Sequence, residues 1–264
     1  MTEFSVQFDT ASFRSLDTFA LLADQKYNYG DIGDWFGAFR GGLYGFYSRL
    51  HGVEVHYSEV HAWLPPRIRI TDTEYHVTTI LFHMDSALEC LTYALNALGW
   101  VANRAEFRDI ANAAQLRRIS PADILKPSMP GYATLFPTLQ RLWQAESSLI
   151  ERIEELHDVS KHRHMVYKGG KLRSDPPPGF YEALGIGEDD HRFLFAPAEE
   201  TMLEDDPKTP RAQRASHRSK PDLLEDLVPA FAELVKDTGS AVLADARANM
   251  TLKTKQFRDA AVTP

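Results

Sequence analysis

The residue types best suited to chemistry in this chain form a histidine-rich and basic segment from Leu156 to Arg173. Three of the ten histidines, His157, His162 and His164, lie within eight residues of one another. The basic residues of the segment, with no acid between them, are Lys161, Arg163, Lys168, Lys171 and Arg173. Such cations contact phosphates, and a histidine exchanges protons near neutral pH. The segment therefore predicts phosphate contact by its first four cations and proton transfer by a histidine.

The same segment also has a purely structural interpretation. Cations gather at helix C-termini because the last carbonyl groups and the macrodipole favour them, each by ~0.3 to 1 kcal/mol. One or two cations satisfy a helix end, whereas five basic residues and three histidines exceed that requirement. Both interpretations stay open on the sequence alone.

A metal site built from helix side chains is a further hypothesis. Glu154 and His157 form a Glu-x-x-His motif, and Glu146 lies two turns earlier on the face that we predict to point inward. In a helical bundle such a motif offers a carboxylate and an imidazole to one iron, but a di-iron site needs two of them. The other Glu-x-x-His spacing, Glu188 to His191, lies in a loop-like sequence. We therefore expect no cofactor, and a metal-dependent enzyme using Glu146, Glu154 and His157 is an alternative.

The remaining reactive residues fit no catalytic motif. Cys90 lies on the apolar side of a predicted helix, where burial keeps a thiol protonated and inert. His76 and His83, seven residues apart, share a helix face that carries no carboxylate, which favours a surface or packing role. The chain contains no Gly-x-Ser-x-Gly, P-loop or Gly-x-Gly-x-x-Gly motif. The hydrolase, kinase and dehydrogenase templates therefore do not apply.

Composition is that of a globular protein with an acidic surface. The 264 residues are 44% hydrophobic and carry a net charge of −8, so any RNA binding must depend on a local basic patch. The single cysteine excludes an intrachain disulfide and fits a reducing compartment. The N-terminus does not resemble a signal peptide, and the early apolar run Phe19–Ala23 is far shorter than the about 20 residues that span a bilayer. We expect a cytoplasmic protein that contacts no membrane.

Helical periodicity dominates the first half of the chain. Apolar residues recur at helical spacing over 12–29 and 35–50, and Val53–Tyr57 alternates like a short strand. The clearest helix is predicted from Asp72 to Val101. Its apolar stripe, spaced alternately four and three residues apart, is Val77, Leu81, Met84, Leu88, Leu91, Leu95 and Leu98. A second face of small residues predicts close approach by a neighbour, so this helix should be central.

The second half predicts further helices around an irregular insertion. A shorter helix over 103–118 and a helical turn capped by Ser120 precede an unbroken helix over 131–165. Prolines and opposed charge blocks predict a solvated insertion over 169–220, followed by a last helix over 222–253. We therefore predict one mainly α-helical domain over 1–264, a bundle of four or five long helices. Its core helices are expected at about 12–50, 72–118, 131–165 and 222–253.

Two stretches of the chain, Met84–Asn96 and Leu156–Arg163, resemble the HEPN family, helical-bundle proteins of bacterial toxins, defence systems and nucleotide-associated ribonucleases. Met84–Asn96 is similar to the family helix in which an acidic residue precedes an asparagine by about two turns. Leu156–Arg163 is similar to the end of a later family helix, and His162 takes the place of the family histidine. Arg152 and His157 have the family's Arg-x4-His spacing in mid-helix.

The resemblance implies an RNA-binding protein or a weak metal-independent ribonuclease of a toxin or defence system. In that activity His162 is the general acid or base, Arg163 and Lys161 hold the scissile phosphate, and Glu89 orients the histidine. RNA, a second copy of the chain and another protein are the partners expected. A non-enzymatic helical interaction module is the alternative function.

Overall fold

The computed structural model describes residues 5–27, 34–61, 66–126, 129–162 and 223–250. Over these ranges the protein is mainly α-helical and contains no strand, which confirms the predicted fold class at that level. The helices are α1 (Ala11–Tyr27), α2 (Trp35–His61), α3 (Pro66–Ala102), α4 (Ala113–Leu116), α5 (Ala122–Leu125), α6 (Pro130–Leu135), α7 (Pro137–Ala145), α8 (Ser147–His162) and α9 (Leu223–Asp245). A π-helix, Ala246–Met250, continues α9. The predicted insertion over 169–220 lies outside the described residues.

The predicted central helix is confirmed as α3. Leu88, Leu91 and Leu95 are at most 2% exposed, and the other members of the apolar stripe are buried with them. Burying each such side chain contributes about 1.5 to 3 kcal/mol relative to leaving it in water. The hydrophobic core of the described residues is therefore built around this helix.

The two longest helices, α2 and α3, pack against each other most extensively. Their backbones approach closely at Gly42, where a Cβ atom would lie 2.8 Å from both the amide nitrogen of Ala94 and the carbonyl oxygen of Cys90. Only glycine fits at that distance without displacing a backbone. The close approach predicted on the small-residue side of α3 is confirmed.

The strand predicted at Val53–Tyr57 is wrong, because these residues belong to α2. Val53 and Tyr57, four residues apart, are buried, whereas Val55 between them is 42% exposed. Burial thus follows the helical period and continues through Val60, which is also buried. An alternation over five residues was too short to distinguish the period of a strand from the period of a helix.

The helix predicted over 103–118 is also wrong, since only the single turn α4 forms there. Asn96 of α3 binds both backbone groups of Arg108: its Nδ2 donates to the carbonyl at 2.9 Å, and its Oδ1 accepts the amide N–H at 3.0 Å. Arg108 in turn donates two hydrogen bonds to the buried Asp123. These side chains hold the segment in turns, so Asn96 has a structural role.

The helix predicted to be unbroken over 131–165 is divided into α6, α7 and α8. Pro137 begins α7, because proline lacks the N–H that would continue α6. Glu146 ends α7 in a non-helical conformation and is exposed, so the inward orientation predicted for it is wrong. The predicted turn after Ser120 is present as α5, but Pro121 occupies the N-cap and no side chain caps the turn.

Helix α9 confirms the last predicted helix and packs on α1 and α7. The Trp143 Nε1–H donates to Thr238 Oγ1 at 2.9 Å, which ties α7 to the middle of α9. The buried apolar residues of α9 include Leu224, Val228, Phe231, Val235 and Val242. Among the described helices, none has the length and apolar composition that a membrane span needs.

Candidate functional site

The predicted basic segment is described only at its beginning. Helix α8 ends at His162, so Lys161 and His162 form its last turn, one turn beyond His157. The predicted phosphate contacts Arg163, Lys168 and Lys171 lie outside the described residues. Glu89 is exposed on α3, and its predicted approach to His162 stays a prediction.

His157 pairs with an acid that the sequence analysis did not select. Its Nδ1 lies 2.7 Å from Oδ2 of Asp85, on α3, and the two side chains are only 11% and 15% exposed. An ionised carboxylate can only accept a hydrogen bond, so the neutral imidazole donates from Nδ1 and leaves the lone pair on Nε2. The pair therefore fixes the tautomer in which Nε2 accepts a proton.

An exposed aromatic ring lies beside this pair. Phe82 is 39% exposed, and its ring meets the His157 ring edge to face with centroids 5.6 Å apart. The guanidinium of Arg49, on α2, lies 5.3 Å from the centre of the Phe82 ring, and its Nε donates to Ser86 at 3.1 Å. Helices α2, α3 and α8 thus each contribute side chains to one surface. We call Arg49, Phe82, Asp85 and His157 together the Phe82 surface.

The Phe82 surface combines three groups that suit single-stranded nucleic acid. An exposed aromatic ring can stack on a base, an arginine can neutralise a phosphate, and a histidine–carboxylate pair can move a proton. Arg152, five residues before His157, is exposed and lies about 140° further around α8 at 3.6 residues per turn. The arginine on this surface is therefore Arg49 of α2, and the local Arg-x4-His spacing does not supply it.

Three histidines form a second polar group where α2 meets α3. The Nδ1 atoms of His56 and His76 are 2.8 Å apart, and the His56 ring stacks on His83 with centroids 5.8 Å apart. The His83 ring covers Gly52, where a Cβ would lie 2.5 Å from it. Within the part of the chain that the structure describes, His83 Nδ1 is buried and has no hydrogen-bond partner. The sequence favours a surface or packing role for His76 and His83, and it does not predict their association with His56, which it places in a strand.

Burial favours the neutral form of His56 and of His83. It is the main cause that lowers the pKa of His56, and the neighbouring His76 lowers that pKa further. Burial likewise lowers the pKa of His83, followed by the charges of Arg49 and His56. The group therefore offers ring nitrogens as hydrogen-bond acceptors or metal ligands.

Cys90 lies on α3, and its carbonyl oxygen takes part in the close approach of α3 to Gly42 of α2. Burial raises the pKa of its thiol, while the charge of Arg49 and a hydrogen bond from Ser86 act in the opposite direction. The raised pKa agrees with the protonated, inert thiol that was predicted.

The alternative metal site receives no support from the described residues. Glu146 and Glu154 are exposed, whereas His157 is buried against Asp85. Within residues 5–27, 34–61, 66–126, 129–162 and 223–250, no three histidine, cysteine, aspartate or glutamate side chains are grouped so as to hold a metal ion.

Three residues of the Phe82 surface were not predicted from the sequence: Arg49, Phe82 and Asp85. Phe82 was the easiest of the three to recognise from the sequence. It falls outside the apolar stripe of α3, so it places a large aromatic ring on a polar helix face. The pairing of Asp85 could not be recognised from the sequence, because its partner His157 lies 72 residues further along the chain.

No known protein family, no curated protein and no solved structure matches this chain.

Proposed function

We propose that this chain is a HEPN-like helical-bundle protein that binds single-stranded RNA in the cytoplasm, and that the Phe82 surface is the centre of a metal-independent ribonuclease. The observation that carries the proposal is the contact of Phe82 with Arg49 on one side and with the Asp85–His157 pair on the other. In this proposal His157 takes the role that the family resemblance gives to His162.

RNA binding follows from the side chains of this surface. The exposed part of Phe82 stacks on a base, an interaction of about 1 to 3 kcal/mol that tolerates any base because every base has a π face. Arg49 neutralises the adjacent phosphate. In the sequence, His157 is followed by the basic residues that we propose contact further phosphates: Lys161, Arg163, Lys168 and Lys171. A local path of this kind suits a chain whose net charge of −8 repels RNA elsewhere.

Cleavage uses the ribose itself as the nucleophile. His157 Nε2 accepts the proton of a 2′-hydroxyl, the bond from O2′ to phosphorus forms, and the bond from phosphorus to O5′ breaks. The departing O5′ takes a proton from solvent, so the products carry a 2′,3′-cyclic phosphate and a 5′-hydroxyl. Asp85 stabilises the imidazolium that forms, and Arg49 stabilises the charge on the non-bridging oxygens.

The cleavage test compares matched histidine variants on single-stranded RNA in EDTA. We expect the parent chain to produce 2′,3′-cyclic phosphate ends, and His157→Ala to lose this activity. His51→Ala, which alters a 74% exposed histidine of α2, should cleave like the parent and controls for the general effect of removing a histidine. A substrate with deoxyribose at the cleaved position should resist cleavage. Equal cleavage by His157→Ala and the parent would remove His157 from the reaction and leave His162 to be tested by His162→Ala.

The binding test separates stacking from phosphate contact. Affinity for RNA should fall linearly with the logarithm of salt concentration, with a slope of about 0.7 per phosphate contact. Arg49→Gln and the double variant Lys161→Gln/Arg163→Gln should each lower that slope. Phe82→Ala should weaken binding at every salt concentration without changing the slope, because stacking releases no counterions. If no variant affects RNA binding, the alternative of a non-enzymatic interaction module becomes the better description.

A further inference from the structure

We propose that His56 and His76 form a two-nitrogen binding site for a divalent transition-metal ion, Ni²⁺ or Cu²⁺, between α2 and α3. The two Nδ1 atoms face each other at 2.8 Å, and the two ring centroids are 5.1 Å apart. This site shares no residue with the Phe82 surface, although the His83 ring lies between them, 5.8 Å from the His56 ring and 5.3 Å from the Phe82 ring. The proposal does not depend on the proposed function.

The separation of the two nitrogens selects the kind of metal. Imidazole nitrogens bind such ions at about 2.0 to 2.1 Å, so two nitrogens 2.8 Å apart subtend an angle of about 85° at the metal. That angle is close to the right angle of square-planar or tetragonal coordination, which Cu²⁺ and Ni²⁺ favour with nitrogen ligands. It is too narrow for the tetrahedral coordination of structural Zn²⁺.

The surroundings hold both rings in place as neutral ligands. His83 stacks on His56, and Tyr75 meets the rings of His56 and His76 edge to face at 5.9 and 5.2 Å. A metal ion binds an imidazole ring in its neutral form. Both rings are half-buried, so solvent molecules can fill the remaining coordination positions.

Metal binding leaves the charge of the two rings unchanged. In the metal-free protein the Nδ1–H of one ring donates a hydrogen bond to the Nδ1 of the other, since two bare lone pairs would repel each other at 2.8 Å. When a metal binds, solvent removes that proton from Nδ1 and returns one to Nε2 of the same ring. Both Nδ1 lone pairs are then available, and no net proton is released.

The test titrates Ni²⁺ into the full chain after EDTA treatment and dialysis. Isothermal titration calorimetry should detect one site that His56→Ala and His76→Ala each weaken at least tenfold. The variants His56→Gln and His76→Gln keep a hydrogen-bonding side chain and replace the alanine variants if those do not fold. Ni²⁺ should also raise the melting temperature of the parent, because it binds only the folded pairing of the rings, and should not raise that of the variants.

Control variants exclude binding by other histidines. His51→Ala and the double variant His162→Ala/His164→Ala should bind Ni²⁺ with the affinity of the parent. Equal affinity of His56→Gln and the parent, or an equal loss in His51→Ala, would overturn the proposal. Cu²⁺ electron paramagnetic resonance should show two coordinated nitrogens in the parent, and a spectrum without them would also overturn it.

Discussion

Asp245, the last residue of α9, caps α7 by accepting the backbone N–H of Thr138 at 2.8 Å through Oδ2. The same oxygen accepts the N–H of Leu139 at 3.0 Å. The first N–H groups of a helix have no partners within the helix, and Phe136 at the N-cap has no side-chain acceptor for them. A residue more than 100 positions later in the chain therefore supplies the cap.

Replacing this cap should destabilise the protein. Asp245 is only 5% exposed, so Asp245→Ala leaves two amide groups without an acceptor at a buried position. We expect a loss of about 1 to 3 kcal/mol in unfolding free energy. Asp237→Ala, at an exposed position of the same helix, is the matched control and should change stability by less than about 0.5 kcal/mol. Urea unfolding followed by circular dichroism measures both. Similar losses in the two variants would argue against the cap.

Two adjacent glycines of α2 should respond to alanine with opposite signs. Gly42→Ala places a Cβ 2.8 Å from the backbone of α3 and should cost about 1 to 3 kcal/mol through overpacking. Gly41→Ala meets no atom within 4 Å and should stabilise the protein by about 0.5 to 1 kcal/mol, because alanine loses less backbone entropy in a helix. Both changes are read from urea midpoints. A stable Gly42→Ala variant would contradict the close helix contact.

Truncation of a central core residue should be costly. Leu91→Ala should lower the unfolding free energy by ~2 to 5 kcal/mol, since Leu91 is 1% exposed and the cavity cannot fully collapse. Leu22→Ala, at a position that is 59% exposed, should have little effect. A loss below about 1 kcal/mol for Leu91→Ala would place α3 away from the core.

The single cysteine reports on the charge of Arg49. Burial raises the pKa of Cys90, so the pH midpoint of its alkylation by iodoacetamide should lie higher in the folded chain than in urea. The Arg49 cation lowers this pKa, and Arg49→Gln should therefore shift the midpoint to still higher pH. Mass spectrometry of the alkylated fraction at each pH measures the midpoint. A downward shift in Arg49→Gln would contradict the proximity of the two groups.

The regular parts of this fold could be predicted from local spacing. The stripe that includes Leu88, Leu91 and Leu95 extends over about six turns of helix, so its period was unambiguous, and the structure buries it. The prediction of a strand at Val53–Tyr57 was wrong because five residues are too few to distinguish the two-residue period of a strand from the 3.6-residue period of a helix. The helix after Asn103 failed because Asn96, a side chain of another helix, binds the backbone of Arg108 there. Local propensity contains no information about such a contact.

The candidate site was predictable only in part. His157 was identified from the density of histidine and basic residues, since that density is a local property of the sequence. Its orientation depends on Asp85 and its neighbourhood on Phe82 and Arg49, which the packing of α2, α3 and α8 brings together. Pairs that are separated by 72 residues, such as Asp85 and His157, require the fold before they can be recognised.

The angle between α2 and α3 at the Gly42 contact affects the position of residues further along α2. His56 lies 14 residues beyond Gly42, a distance of about 21 Å along a helix that rises 1.5 Å per residue. A change of about five degrees in the angle between the helices at Gly42 would move His56 by about 2 Å relative to α3, which is enough to separate its Nδ1 from that of His76. The close helix contact that Gly42 allows therefore affects the alignment of the Nδ1 atoms of His56 and His76, about four turns away along α2.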